Sequence, residues 1–358
     1  MFCCTCDKLL KRSEKDKHED HHILENITDY QLEHPSEILP PLEQNKKEAQ
    51  YLFSSASVAA IVNIFKKLEI RNVICIGTPR IHEHIQSNCQ SMSSILLDFD
   101  KRFHNFFGPL QYCWYNLFNH HFFLPDAKTV FDDYLKSCSN VALIMDPPFG
   151  ARIEPISLNL GTITNLLKKY HGTKSNLSVF LVLPYFMEPQ VLNWLPDMKM
   201  SDYKVEYDNH VKFKNGPKGR KHGSPVRIFT NVSLNLVKLP EDGYRYCKPC
   251  RKWVAIENSH CRICNACTSK NGQTYKHCDL CQRCVKPSWQ HCDECDRCAA
   301  IGHTCQELEF SKTCFHCKQS GHKRAQCPTL SNSGKKRKTD KNERTTKGAK
   351  YRKKQKVL

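Results

Sequence analysis

From residue 247 to residue 305 the chain repeats one short unit. A C-x-x-C pair, Cys247 and Cys250, precedes runs of the form H-C-x-x-C-x-x-C that open at His260, His277 and His291, and His303 and Cys305 close the series. This is metal-ligand spacing, and sixteen donors divide into four tetrahedral Cys3His sites of the closed kind expected for structural zinc. The simplest pairing lets each C-x-x-C wait for the His and last Cys of the next unit. Site one is then Cys247, Cys250, His260 and Cys267, and site two is Cys261, Cys264, His277 and Cys284. Site three is Cys278, Cys281, His291 and Cys298, and site four is Cys292, Cys295, His303 and Cys305.

Two further donor sets flank this array. "CFHCKQSGHKRAQC" has the C-x2-C-x4-H-x4-C spacing of a zinc knuckle through Cys314, Cys317, His322 and Cys327. Knuckles commonly grip single-stranded RNA, and Phe315, Lys318, Lys323 and Arg324 supply stacking and charge. At the other end, Cys3, Cys6 and His18 with either His21 or His22 fit a two-Cys two-His site, leaving Cys4 outside it. About six zinc ions are therefore expected. Fifteen of the twenty-two cysteines lie after residue 246, and no signal peptide opens the chain, so reduced thiols holding metal are expected rather than disulfides.

Between the metal-binding ends the pattern changes. NVICIG (72–77), SILLDF (94–99), NVALIM (140–145) and LSVFLVL (177–183) read as buried strands, with helical patterns at 129–138 and 160–170. Strand–helix alternation predicts an α/β domain: a Rossmann-like, mostly parallel sheet with helices on both faces. Residues 203–210 and 226–239 have no helix between them and suggest a closing antiparallel hairpin. The expected organisation is a zinc finger at 1–22, the α/β domain at 45–240, the zinc array at 247–305, the knuckle at 312–329 and a basic tail at 334–358.

The strand NVALIM runs into "DPPFG" (146–150), placing an acid, two prolines and an aromatic ring where a parallel sheet binds ligands. This stretch resembles the (D/N/S)-P-P-(Y/F/W) motif of amino-group methyltransferases. An exocyclic adenine amine is a poor nucleophile, because its lone pair is delocalised into the ring. Asp146 can accept one N–H and the Pro147 carbonyl another, the prolines at 147 and 148 stiffen the backbone, and Phe149 offers a ring to a flipped base. The bland alternative is an ordinary Asp-Pro turn. The cofactor side is less explicit. "VICIGTPR" (73–80) offers the single glycine Gly77 where G-x-G-x-x-G is usual. Asp98 follows it by 21 residues, near the spacing of a ribose-binding acid, with Asp100 as its substitute and an incidental strand-end acid as the alternative.

The net charge of +18 favours a polyanionic partner. The longest apolar runs, 57–65 and 177–186, fall short of the roughly 20 residues of a membrane helix, so a soluble intracellular protein with no membrane partner is expected. Residues 334–358 hold twelve basic and two acidic residues and are expected to be disordered, serving nuclear targeting and nonspecific RNA contact or simply solubility. Residues 212–223, rich in Lys, Arg and Gly, read as a loop that could gate the DPPF pocket or as a solvated turn.

Zinc knuckle, H-C-x-x-C-x-x-C array and DPPFG together resemble the CCHC-zinc-finger ribosomal RNA adenine-N6 methyltransferases of animals, and the resemblance covers nearly the whole chain. It extends to "AQYLF" (49–53), "GTPR" (77–80), "YNLFNHHFF" (115–123), "YDNH" (207–210), "SPVRIFTN" (224–231) and "CVKPSWQHC" (284–292). It implies an S-adenosylmethionine-dependent enzyme acting on large-subunit ribosomal RNA, with Gln50, Tyr51, Leu52, Phe53, Gly77, Arg80, Asp98, Asn116, Leu117, Phe118 and Asp146 around the cofactor. It also implies Asp146, Pro147, Pro148 and Phe149 as the catalytic motif, a nucleolar or nuclear location with a cytoplasmic pool, and ribosome-biogenesis proteins as partners. The family carries a further N-terminal finger with a G-R-F signature, whereas this chain opens at Met1-Phe2-Cys3; a shortened homologue or a truncated sequence is expected. The rival reading is a noncatalytic zinc-rich RNA-binding scaffold with a degenerate methyltransferase domain. A protein palmitoyltransferase, whose cysteine array is loosely similar, is excluded by the lack of a D-H-H-C motif and of a membrane span.

Overall fold

Strand-forming runs of Val, Ile and Leu build one eight-stranded sheet: β1 (Asn72–Ile76), β2 (Ser93–Asp98), β3 (Tyr112–Asn116), β4 (His121–Phe122), β5 (Val141–Met145), β6 (Ser178–Pro184), β7 (Lys199–Met200) and β8 (Val226–Thr230). The computed structural model describes residues 1–42, 50–173, 175–210, 213, 220–305, 317, 319 and 327–331. Strand order is β7-β8-β6-β5-β1-β2-β3-β4. The strands from β6 through β5, β1 and β2 to β3 run parallel, and β4, β7 and β8 are antiparallel to their neighbours. The chain divides into two units, Met1–Pro287 and Ser288–Leu358, and the sheet lies in the first.

The strands read as continuous apolar runs because both faces are covered. Side chains alternate across the pleat, so Val73 and Cys75 enter one core while Ile74 and Ile76 enter the other. On the first face, α1 (Ser55–Lys67) contributes Val58, Ile61 and Phe65, and α2 (Pro79–Asn88) contributes Ile81 and Ile85. On the second, α3 (Pro125–Ser137) contributes Phe131 and Leu135, and α4 (Ile153–His171) contributes Ile156, Leu160, Ile163 and Leu167. Each set recurs at three- and four-residue steps, which puts it on one helical stripe. A short α5 (Glu188–Trp194) buries Val191 beside the second core. Ser54 caps α1 by accepting from the Ser57 N–H at 3.2 Å, and Pro79 and Pro125 occupy first-turn positions where a missing N–H costs nothing.

The expected closing hairpin is only partly built. β8 stops at Thr230, and its antiparallel partners are β6 and β7 rather than a strand at 203–210. Asn231 explains the stop: its side chain accepts from the Val179 N–H and donates to the Leu177 carbonyl, both at 2.8 Å, replacing ladder bonds with side-chain bonds. Residues 203–210 run extended without a ladder; Val205 N–H bonds the Val226 carbonyl at 3.1 Å, and one bridge pairs Tyr207 with Phe53. α4 begins seven residues earlier than the periodicity at 160–170 suggests, directly after the DPPFG turn.

Two metal-type modules pack on the sheet domain within the first unit. The N-terminal one buries Phe2, whose ring sits 5.5 Å from that of Phe106, and the Asn105 amide donates to the Asp7 carbonyl at 2.9 Å. The start of the array is joined more firmly. Buried Asp202 accepts from the Ala255 N–H at 2.9 Å and the Asn258 amide at 2.8 Å, and buried Arg227 donates to the Lys270 carbonyl at 3.1 Å. Lys204 pairs with Glu257, and the Tyr244 hydroxyl accepts from the Lys204 N–H at 2.9 Å. Among the described residues, no helix is long and apolar enough to cross a membrane.

Candidate active site

Four strand ends converge on one cleft. Strand order reverses between β1 and β5, which are neighbours in the sheet, and such a switch point opens a crevice beyond the strands' carboxyl ends. Gly77 leaves β1 there, Asp98 ends β2, Asn116 ends β3 and Asp146 follows β5. The crevice encloses about 390 Å³ and is lined by Gln50, Tyr51, Gly77, Asp98, Asp100, Asn116, Leu117, Phe118, Asp146, Pro147 and Pro148 among the residues singled out from sequence. Leu42, Ile76, Leu97, Phe99 and Tyr115 complete the lining. Phe99 has a legible signal, since it directly follows Asp98, and Tyr115 heads the "YNLFNHHFF" stretch; Leu42 has none in the local pattern.

Gly77 is needed in two ways. Its φ of +64° lies in the left-handed region, and a β-carbon there would stand 3.2 Å from the Asp146 carbonyl oxygen. Asp146 is fixed in turn by its N–H, which donates to the Ile76 carbonyl at 3.1 Å. Burial pushes the Asp146 carboxyl well above the usual carboxylate range, opposed by one hydrogen bond from the Tyr207 hydroxyl at 2.9 Å.

The acids beyond β2 form a second polar wall. Burial, helped by the neighbouring charge of Asp100, pushes Asp98 up to about 7, while the backbone N–H groups of Asp100 and Phe99 resist the shift. Asp100 is held by Arg102 in a two-pronged bond, Nε to Oδ1 at 2.8 Å and Nη2 to Oδ2 at 2.7 Å. The Gln50 amide donates to Asp100 Oδ2 at 3.4 Å. Carboxylates on one wall, exposed Phe99 and Phe118 rings and a tight glycine turn suit a nucleoside carrying positive charge.

Three residues from the implied cofactor shell stand outside the lining. Leu52 and Phe53 are buried in the core, and Arg80 donates to the Phe53 carbonyl at 2.7 Å and pairs with Asp208. Their visible work is to tie residues 50–54 to residues 206–209. Phe149 is half-buried within an aromatic group, its ring 5.6 Å from Tyr51 and 5.3 Å from Phe213.

The metal donors gather as local geometry requires. One ligating atom from each of Cys3, Cys6, His18 and His21 lies within 4.8 Å of the others, which selects His21 over His22. The His22 carbonyl instead accepts the Cys4 N–H at 2.8 Å. The sets Cys247–Cys250–His260–Cys267, Cys261–Cys264–His277–Cys284 and Cys292–Cys295–His303–Cys305 meet the same limit. Cys278 and Cys281 belong to the first unit, and His291 and Cys298, in register across a hairpin, to the second. Asp7, Arg251, Asn265, Gln282 and Asp296, each following a C-x-x-C pair, all have positive φ. That turn directs backbone N–H groups at the first sulfur, as with Cys264 N–H to Cys261 Sγ at 3.4 Å, and this bond helps lower the Cys261 thiol to about 7. Thiolates and imidazoles so grouped fit a tetrahedral zinc ion. In the knuckle, Cys317 and Cys327 are described, whereas Cys314 and His322 lie outside the described residues, as do the basic tail and most of the 212–223 loop.

A family model for a probable N6-adenine methyltransferase matches residues 44–233, the region that forms this sheet and cleft. The chain is 44% identical over 346 residues to the rRNA N(6)-adenosine-methyltransferase ZCCHC4 of Homo sapiens, an alignment covering 93% of this chain and 66% of that protein. It is 42% identical over 359 residues to the protein of the same name from Xenopus laevis, covering 97% of this chain and 73% of that one. The chain thus spans about two thirds of the length of the curated relatives it matches.

Proposed function

This chain belongs to the probable N6-adenine methyltransferase family, and from that premise we propose that it methylates the N6 amine of an adenosine in large-subunit ribosomal RNA. The observation that carries the reading is the position of Asp146-Pro147-Pro148-Phe149 at the switch point, opening into a cleft walled by Asp98 and Asp100. S-adenosylmethionine, the methyl donor of such enzymes, would supply an electrophilic methyl group on a sulfonium. Gln50, Tyr51, Gly77, Asp98, Asn116, Leu117 and Phe118 would hold it, Asp98 taking a ribose hydroxyl.

The chain's own residues prepare the amine. Asp146 accepts one N–H and the Pro147 carbonyl the other, so the nitrogen lone pair is turned out of conjugation and aimed across the cleft. Burial makes the Asp146 carboxylate a stronger proton acceptor than a surface one, which suits it to receive the amine proton. Phe149 stacks on the extruded base. The Cys/His modules extend the surface that meets RNA, and the spacing of their donors supports about six zinc ions in all. The +18 charge and the basic tail support a nuclear, ribosome-assembling setting with ribosome-biogenesis proteins as partners and a cytoplasmic pool.

Mass spectrometry of nucleosides from ribosomal RNA, prepared with and without the protein, tests the reading. N6-methyladenosine should rise only with the protein and S-adenosylmethionine together. Cofactor binding without any transfer would instead favour a noncatalytic RNA-binding scaffold.

A further inference from the structure

Tyr207 heads the "YDNH" stretch 61 residues beyond Asp146 in the chain, and its hydroxyl ends 2.9 Å from Asp146 Oδ1. The ring is fully buried. A buried phenol needs a hydrogen-bond partner, and Asp146 is the acceptor it reaches. Its backbone is held just as firmly. Ser54 N–H bonds the Glu206 carbonyl at 2.8 Å, and Asp208 N–H bonds the Leu52 carbonyl at 2.9 Å. Asn209 closes the clamp by accepting from the Leu52 N–H at 2.9 Å and donating to the Gln50 carbonyl at 2.7 Å. The phenol is therefore aimed by the clamp between residues 206–209 and residues 50–54, of which Gln50 and Tyr51 line the cleft.

We propose that Tyr207 is the positioning residue of the methyl-transfer site: by occupying Oδ1 of Asp146 it leaves Oδ2 as the oxygen presented to the amine. The proposal rests on the reading that Asp146 receives an adenine amine. A carboxylate free to rotate would offer either oxygen at many angles, and an amine aligned that loosely loses most of the advantage of orientation. The same bond opposes the upward push of burial on the Asp146 carboxyl, keeping more of it ionised near neutrality. Other titratable groups around the cavity are Tyr51 before α1, Asp98 and Asp100 beyond β2, and Tyr115 on β3. Tyr115 is already engaged with His120 at 2.8 Å and Asp100 with Arg102, so neither is oriented on Asp146.

The test is Tyr207→Phe in the full chain, which removes one oxygen and keeps the ring. With an adenosine-containing ribosomal RNA fragment as probe, kcat should fall about tenfold to a hundredfold, the range for losing a hydrogen bond to a charged group. KM for RNA and the affinity for S-adenosylmethionine should stay within about twofold. The acidic limb of the kcat–pH profile should move to higher pH. In an Asp146→Asn background the same substitution should cost little more, because the two residues act as one unit. A direct readout avoids dependence on turnover: the carboxyl 13C titration of Asp146, assigned by difference with Asp146→Asn, should have its midpoint raised in Tyr207→Phe. An unmoved midpoint, or an unchanged kcat with an unmoved acidic limb, overturns the role of Tyr207. A raised midpoint in a protein whose wild type methylates no adenosine supports the hydrogen bond and overturns the proposed reaction instead.

Discussion

Gly77 and Asp146 meet across two neighbouring parallel strands so closely that a single added carbon would press on the DPPF loop: a β-carbon at Gly77 would lie 3.2 Å from the Asp146 carbonyl oxygen. Gly77→Ala should therefore do more than strain its own backbone at φ +64°. The left-handed conformation costs an alanine about 1–2 kcal/mol, measurable by urea denaturation, and the carbonyl must also give way. Methyl transfer and cofactor affinity should both fall. A variant with wild-type stability and activity would show that the turn relaxes freely.

Asp146→Asn keeps the shape of the side chain and an oxygen for Tyr207 while removing the charge. Single-turnover methyl transfer should drop about a hundredfold or more, the usual effect of losing one preorganised polar contact. Because burial already disfavours the charged carboxylate, thermal stability at pH 8 should stay level or rise. Activity within about threefold of wild type would remove Asp146 from the reaction.

Asp98 should make both stability and cofactor binding depend on pH. Its folded value of about 7 stands above the ordinary 3.8, so in this range the folded protein binds more protons than the unfolded chain. Its contribution to stability is intact below 3.8 and is lost as pH rises through about 7. Asp98→Asn should flatten that decline in part; Glu83, buried and likewise raised to about 7, supplies a decline of the same sign. Cofactor affinity, measured by calorimetry, should run the other way and strengthen from pH 6 to pH 8, as Asp98 ionises to accept a hydroxyl. Equal affinities at both pH values would argue against Asp98 as a ligand.

Asp202 holds the start of the Cys/His array against the sheet domain through Ala255 and Asn258, with the Arg227 guanidinium nearby. Asp202→Ala leaves two buried donors without their acceptor and removes the counter-charge for Arg227. The loss should be about 3–5 kcal/mol, as for breaking one side of a buried charged network, and hydrogen exchange should rise across residues 244–258. Unchanged exchange there would mean that the cysteine sites alone keep the hairpin in place.

Metal analysis of the folded protein should find about six zinc ions per chain, and chelation should unfold the hairpins at 244–267 and 276–285 before the sheet domain. Structural metal sites contribute folding free energy directly. Four donor sets lie wholly within one of the two units, so two or fewer ions would contradict the grouping.

Much of this was legible locally. A C-x-x-C pair forms its turn from neighbours in sequence, so the donor sets could be read from spacing, and apolar runs flanked by helical periodicity revealed strands buried on both faces. The DPPF stretch likewise declared itself, because its acid and prolines follow directly on such a strand. These features depend on interactions reaching a few residues along the chain. Strand order, the choice of His21 over His22, the clamp of residues 50–54 by 206–209 and the bond from Tyr207 to Asp146 depend on segments far apart in sequence. Periodicity says which face of a segment is buried and not which distant segment will cover it. The partner of a buried phenol or carboxylate emerges only once the sheet has set its strand order and brought the loops at its carboxyl edge together.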